Sequence, residues 1–352
     1  MFSLFLPIGI LLSSGLVILS ALSFHSFLMQ IIWILIGISF VVLFYFIDWR
    51  TIFNLPWLVW GIYILGVLSM LFAYLKHSNI RNTQSWLVLG PITIQPVEFV
   101  KVALIFLFAN YFSRRHIAVA RWKNILYSFL IFIIPSIISV KLPDLGSVVI
   151  FGGIWFGFLL LSGLPFKRIL VAFLVILLSA GLLWGYVLKG YHRERIIGFF
   201  SPQENSLGIN YSIIQSKIAI GSAGLFGKGY GQGTQAQLSF LSVPTEDFIF
   251  SAFIEEWGIV GGVILVLAFL FLIYKILEIG ILADKNFEKF ICLGAATMFI
   301  LQFLLNVGSS TGLTPVVGVT FPFFSYGGSS MITDFFLIAV INSIRHRSSG
   351  SV

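Results

Sequence analysis

MFSLFLPIGILLSSGLVILSALSFHSFLMQIIWILIGISFVVLFYFI, residues 1 to 47, contains no Asp, Glu, Lys or Arg. A span needs about 20 mostly apolar residues to cross the hydrocarbon core, so this run holds two helices, with the break placed at Ser23 to Ser26 around His25. The rest of the chain repeats the pattern. Charge-poor runs follow at Pro56 to Leu75, Glu98 to Phe112, Ile125 to Val140, Leu145 to Leu164, Ile169 to Leu188, Phe248 to Tyr274, Phe290 to Gly308 and Gly327 to Ile344. The expected fold is therefore an all-α integral membrane protein of ten transmembrane helices. It forms a single polytopic domain over 1–352, with a long extracytoplasmic loop at about 189–247 between helices seven and eight.

Composition agrees. The 352 residues are 59% hydrophobic and 10% charged, with mean hydropathy +1.04, whereas a soluble chain carries about 25% charged residues. A soluble enzyme, a disulfide scaffold and a disordered chain are excluded together. Cys292 is the single cysteine and cannot pair within the chain. The first run lacks a basic leader and passes directly into a second span, which argues against a signal peptide.

The net charge of +8 orients the chain rather than pointing to nucleic acid. Loops on the side of the termini hold Arg50; Arg114, Arg115, Arg121 and Lys123; Lys167 and Arg168; Lys275, Lys285 and Lys289; and Arg345 and Arg347. Short loops on the other side hold Lys76, Arg81 and Lys141. Both termini are expected to be cytoplasmic, in a multi-pass protein of the cytoplasmic membrane.

Three outward segments are too long or too patterned for plain connectors. In Arg81 to Lys101, Gly90, Pro91 and Pro96 interrupt helix formation and suggest a loop dipping onto the bilayer surface. Glu98 and Lys101 follow at spacing i, i+3 on one face. They are either an interfacial ion pair orienting the helix end or functional intramembrane charges. The second segment is the long loop, which opens with YHRERIIGFFSP. Its Arg193 and Arg195 suit phosphate oxygens, or equally anionic headgroups. Further on, GSAGLFGKGYGQGTQ places six glycines between Gly221 and Gly233, a backbone able to approach a bulky ligand. It lacks the P-loop pattern.

That loop ends in Pro244, Thr245, Glu246 and Asp247, ahead of Glu255 and Glu256. A carboxylate where a polar loop meets a membrane helix is partly desolvated and suits general-base work; the alternative is that Glu246 and Asp247 serve the helix N-terminus. The third segment, Asn306 to Ser330, is uncharged and reads as a backbone-lined pocket rim. His25, His77, His116, His192 and His346 show no metal-ligand spacing, so no protein-bound metal is expected. Without a nucleotide-sugar metal motif, a group-transfer substrate used outside must arrive activated, as a lipid-linked donor.

These residues resemble the SEDS family (shape, elongation, division and sporulation), whose best-known branches are RodA and FtsW. The resemblance runs from helix three to helix ten. Its strongest motif is GLTPVVGVTFPFFSYGGSS, Gly312 to Ser330. QPVEFVK at Gln95 to Lys101, PDLGS at Pro143 to Ser147, YHRERI at Tyr191 to Ile196, IIQSKIAIGSAGLFGKG at Ile213 to Gly229 and DFIFSAFIEEWG at Asp247 to Gly258 support it. GTQAQLSFL at Gly233 to Leu241 is similar to the RodA branch.

The resemblance implies a peptidoglycan glycosyltransferase that polymerises lipid II at the outer face of the cytoplasmic membrane during cell elongation. It implies Asp247 as the catalytic aspartate. Glu98, Lys101, Asp144, Arg193, Arg195, Ser325 and Ser329 become substrate-binding residues, and the partner a class B penicillin-binding protein. No cofactor is certain, with a divalent cation, Mg2+ or Mn2+, considered at the pyrophosphate. Departures from the pattern are Ser242 to Glu246 ahead of the aspartate, with Glu246 where threonine is usual, and Ser85, Val97 and Leu142. A lipid II flippase and a non-catalytic scaffold for the penicillin-binding protein are the rival readings. The flippase calls for ionisable residues deep in several helices, whereas here most of the unusual charges lie toward the outer end.

Overall fold

The computed structural model describes residues 2–47, 49–53, 55–76, 85–89, 92–114, 122–182, 185, 190–200 and 210–348. Gly90, Pro91, Arg81, Arg115, Arg121 and Lys189 lie outside the described residues. In chain order the helices are α1 (Phe2–Leu22), α2 (Phe24–Phe46), α3 (Trp49–Phe53), α4 (Pro56–Lys76), α5 (Pro96–Ser113), α6 (Trp122–Lys141), α7 (Leu145–Leu161) and α8 (Phe166–Leu182). They continue as α9 (Gly190–Phe200), α10 (Tyr211–Ser222), α11 (Thr234–Gln237), α12 (Ile249–Leu282), α13 (Asn286–Thr311) and α14 (Gly328–Ser348).

Over the described residues, the nine apolar runs coincide with ten helices, the first run holding both α1 and α2. Among the described residues, seven (α1, α2, α4, α5, α6, α12 and α13) are long and apolar enough to cross a membrane. The other three, α7, α8 and α14, have 17, 17 and 21 residues. The chain is thus a helical, multi-pass membrane protein. Large exposed side chains such as Leu65, Leu68, Leu130, Leu177 and Ile264 are the outward surface such a protein turns to lipid.

Two expectations are corrected. The segment before α5 is not a featureless surface loop: Leu87–Leu89 (β1) and Ile92–Ile94 (β2) pair as an antiparallel hairpin with Val88 opposite Thr93. Pro96 does not break a helix there. It occupies the first turn of α5, where its missing N–H has no intrahelical partner to lose. The region 189–247 is likewise not plain loop, because α9, α10 and α11 lie in it.

The chain groups into two compact units. The first comprises Met1–Ile36, Lys189–Lys275 and Gln302–Asp334. Phe321 anchors its interior, with ring centroids of Phe269, Phe303 and Phe324 at 5.5, 5.2 and 5.2 Å. An aromatic plug of this kind fixes the segment TFPFF, whose turn is closed by the Phe324 and Ser325 N–H groups donating to the Phe321 carbonyl.

The second unit comprises Gly37–Leu188, Ile276–Leu301 and Phe335–Val352. Its central helix is α5, apolar on nearly every side and buried from Val100 to Ala109. Gly66 of α4 faces Val100, leaving no room for a larger residue. Tyr63 donates to the Ile131 carbonyl at 2.6 Å, and Trp155 to Ser128 Oγ at 3.0 Å. Within an apolar bundle these polar contacts satisfy groups that lipid cannot.

Candidate active site

The segment Thr245 to Phe248, which carries Asp247, is held by side chains from two other places in the first unit. Asn306, on α13 and 1% exposed, donates through Nδ2 to the carbonyl oxygens of Val319 at 2.8 Å, Glu246 at 3.2 Å and Asp247 at 3.3 Å. Ser325 Oγ donates to the Glu246 carbonyl at 2.9 Å and accepts from the Phe321 N–H at 2.9 Å. The Tyr326 N–H donates to the Thr245 carbonyl at 3.0 Å. The uncharged Gly312–Ser330 block and the segment ending in Asp247 are therefore stitched together through backbone carbonyls.

Two glycines let the block come close. Gly312 (φ 75°) ends α13 in the left-handed region, while the N–H groups of Leu313 and Thr314 return to the Gly308 carbonyl. Gly318 (φ 68°) lies against Asp247: a Cβ there would sit 3.8 Å from its Oδ2. Of the two adjacent carboxylates, Glu246 is buried and Asp247 is partly exposed. This difference in exposure separates two residues that the sequence presents as equivalent.

Arg195 joins the same block by donating from Nη1 to the Val316 carbonyl at 3.2 Å. Because Arg193 and Arg195 lie on the helix α9, two residues place their side chains about 200° apart around its axis. They do not form one two-pronged clamp. Ser325 is buried and engaged in the hydrogen bonds above, so it reaches the site through the Glu246 carbonyl. Ser329 is 5% exposed, in the first turn of α14.

The second unit gathers the other expected residues. Lys101 Nζ lies 2.7 Å from Glu98 Oε1, and the two residues are 2% and 5% exposed. The i, i+3 pairing read from the sequence is present, and it is fully buried. Asp144 caps α7, accepting from the Ser147 N–H at 3.0 Å and Ser147 Oγ at 2.8 Å, with Gln95 Nε2 at 3.5 Å. Burial holds the Asp144 carboxyl above the ordinary carboxylate range, against the opposing pull of Lys101 and the Ser147 hydrogen bonds. Glu98, Lys101 and Asp144 thus form one electrostatic group.

The glycine-rich stretch packs into a break in helix α12. Helix α12 is broken at Gly258 (φ 75°, ψ −179°), and the loop after α10 is spliced into the break. The N–H groups of Lys228 and Gly229 donate to the carbonyls of Glu255 and Glu256, at 2.9 and 3.0 Å. Beyond the break, the N–H groups of Ile259 and Val260 donate to Gly224 and Leu225, both at 3.1 Å. Gly227 and Gly258 pack backbone against backbone, where any Cβ would collide. Lys228 Nζ pairs with the buried Glu255 at 2.7 Å, and Glu255 also accepts from the N–H groups of Gln235 and Ala236.

Sequence reading assigned no role to Asn306, Glu255 or Gln30. The last donates to the Ser325 carbonyl at 3.1 Å and is 2% exposed. Each is a polar residue inside an otherwise apolar helix, and that was the available signal. Among the described residues no group of three or more His, Cys, Asp or Glu side chains is placed to hold a metal ion.

These features define a polytopic membrane protein with one part-exposed carboxylate at the junction of a fixed loop and a membrane helix. The FtsW/RodA/SpoVE family model, described as a cell cycle protein, matches residues 1–350, and the chain belongs to that family. Peptidoglycan glycosyltransferase MrdB of Escherichia coli strain K12 is 34% identical over 294 residues, covering 83% of this chain and 79% of MrdB. Stage V sporulation protein E of Bacillus subtilis strain 168 is 30% identical over 320 residues, 89% of this chain and 85% of that protein. A chain from a peptidoglycan synthase complex studied for the coordination of polymerization and crosslinking superposes with TM-score 0.84 at 26% identity, covering 99% of this chain and 98% of that one. The Thermus thermophilus rod shape determining protein RodA shares the fold, with TM-score 0.73 at 23% identity over 98% of this chain and 96% of RodA.

Proposed function

We propose that this chain polymerises lipid II into glycan strands at the outer face of the cytoplasmic membrane. It is a RodA-like peptidoglycan glycosyltransferase acting in cell-wall synthesis. The observation that carries the mechanism is the fixed, part-exposed Asp247 beside its buried neighbour Glu246.

In the proposed reaction the Asp247 carboxylate accepts the proton of the acceptor sugar's 4-hydroxyl as that oxygen attacks the donor's anomeric carbon. A new C–O bond forms with inversion. The bond from the anomeric carbon to the lipid pyrophosphate breaks, and the electron pair leaves on the pyrophosphate. Arg193 and Arg195 stabilise that growing charge. Lys101, fixed by Glu98, is assigned a share of the same work by its chemistry, and Asp144 orients a polar group of the substrate. No step is drawn through Mg2+ or Mn2+.

The accompanying topology is ten spans with both termini cytoplasmic, supported by the Lys and Arg bias of the loops. The region 189–247 then lies outside, where a lipid-linked donor is presented. A class B penicillin-binding protein is the proposed partner, supported by the likeness to a chain of a synthase complex. The test supplies purified protein with labelled lipid II in vesicles and measures both polymer and transbilayer movement. Polymer is expected. Movement without polymer selects the flippase reading, and neither product without the partner, followed by partner-only activity, selects the scaffold.

A further inference from the structure

At one end of the second unit, α4, α5 and α6 line a cavity of about 180 Å3 whose lining includes none of the residues assigned to the reaction. Its polar lining includes two strong donors. Asn110 and Arg114 stand four residues apart on one face of α5. The Asn110 Nδ2 is shielded from solvent and has no hydrogen-bond partner among the described residues. An amide donor and a guanidinium one turn apart call for an acceptor-rich, anionic ligand.

The remaining walls narrow the choice. Tyr111 and Tyr127 stack at 5.4 Å, with Trp60 at 6.4 Å from Tyr127, and the Tyr111 hydroxyl is tied to Asn124 Oδ1 at 3.1 Å. Aromatic residues with one polar edge favour the membrane–water boundary. One turn deeper the lining turns apolar at Leu107 and Ile131. From there the exposed faces of α4 (Leu65, Leu68) and α6 (Leu130, Ile134) continue as hydrocarbon surface. Lys123 is exposed nearby in sequence, and Arg168 lies over Trp122 at 5.9 Å, which adds positive charge to this end of the unit.

A free phosphate has no use for the apolar wall, and a zwitterionic lipid brings a cation toward Arg114. We infer that the cavity binds the phosphate headgroup of an anionic phospholipid, its acyl chains running along α4 and α6. On the proposed topology this lipid belongs to the cytoplasmic leaflet.

The test uses the full-length protein in detergent and native mass spectrometry, titrating phosphatidylglycerol and phosphatidylcholine separately. Phosphatidylglycerol should bind about tenfold or more tightly than phosphatidylcholine, the worth of a charge-assisted bond to phosphate. Arg114→Gln and Asn110→Leu should each weaken phosphatidylglycerol by about tenfold and erase the preference, while Lys123→Gln should change it by less than about twofold. Equal binding of the two lipids by the unmodified protein overturns the inference whatever the variants do. So does unchanged affinity in both cavity variants, or displacement of the bound lipid by millimolar inorganic phosphate, which would mark a free-anion site.

Discussion

Asn306 donates to the backbone carbonyl of Asp247 at 3.3 Å while the same nitrogen holds the Val319 carbonyl at 2.8 Å. One amide therefore registers the segment carrying Asp247 against the uncharged Gly312–Ser330 block. Replacing Asn306 with Leu strands buried carbonyl oxygens, each costing about 1–3 kcal/mol. The expected outcome is a thermal unfolding midpoint lowered by several degrees, with turnover reduced more than substrate affinity. Asn306→Leu with unchanged turnover and unchanged stability would contradict the registering role.

The splice at Gly258 predicts an asymmetry among glycines. Gly258→Ala must hold a left-handed φ and collide with the Leu225 carbonyl, a loss of about 2 kcal/mol or more. Gly221→Ala, in the last turn of α10 with open space around it, should be neutral or stabilise by up to about 1 kcal/mol. Chemical or thermal unfolding of the two variants side by side checks this, and equal effects would argue against the splice.

The Lys228–Glu255 pair predicts unequal single variants. Glu255 is 0% exposed and also accepts from Thr234, Gln235 and Ala236. Glu255→Ala removes all of these and should destabilise by about 3 kcal/mol or more. Lys228→Met leaves the carboxylate three donors and should cost clearly less. A larger loss for Lys228→Met, read from unfolding midpoints, would count against this ordering.

How much of this was legible beforehand depends on the length of the signal. The nine apolar runs each exceed a dozen residues, and over the described residues each holds a helix, the first of them two. The Glu98–Lys101 contact follows from helix geometry alone, so it too could be read. The hairpin could not, because strands of three residues leave no periodicity. Nor could the break in α12: hydropathy runs unbroken from Phe248 to Tyr274, and only the φ of Gly258 reveals it. Glu246 and Asp247 looked alike for the same reason. Which of two neighbours is buried is decided by Asn306, Gly318 and Ser325, some 60 to 80 residues away in sequence.

Asp144 gives the pH dependence. Its folded pKa is raised above the ordinary value of 3.8 by burial, so the folded chain holds the proton more tightly than the unfolded chain does. That contribution to stability is present below the unfolded pKa and is lost as pH rises through the folded one. Asp144→Asn keeps a capping side chain but does not titrate there. The stability of the unmodified protein relative to Asp144→Asn should fall as pH rises from about 4 toward neutrality. A difference in unfolding midpoint that is flat with pH, or that grows, would reverse the sign.

The most direct test of the central claim is polymerisation of labelled lipid II by the purified protein and by Asp247→Asn, with unfolding midpoints measured on the same samples. The account predicts glycan polymer from the unmodified chain, and loss of about a hundredfold or more in rate for Asp247→Asn at an unchanged midpoint. Equal polymer from both proteins would remove Asp247 from the base role and contradict the mechanism.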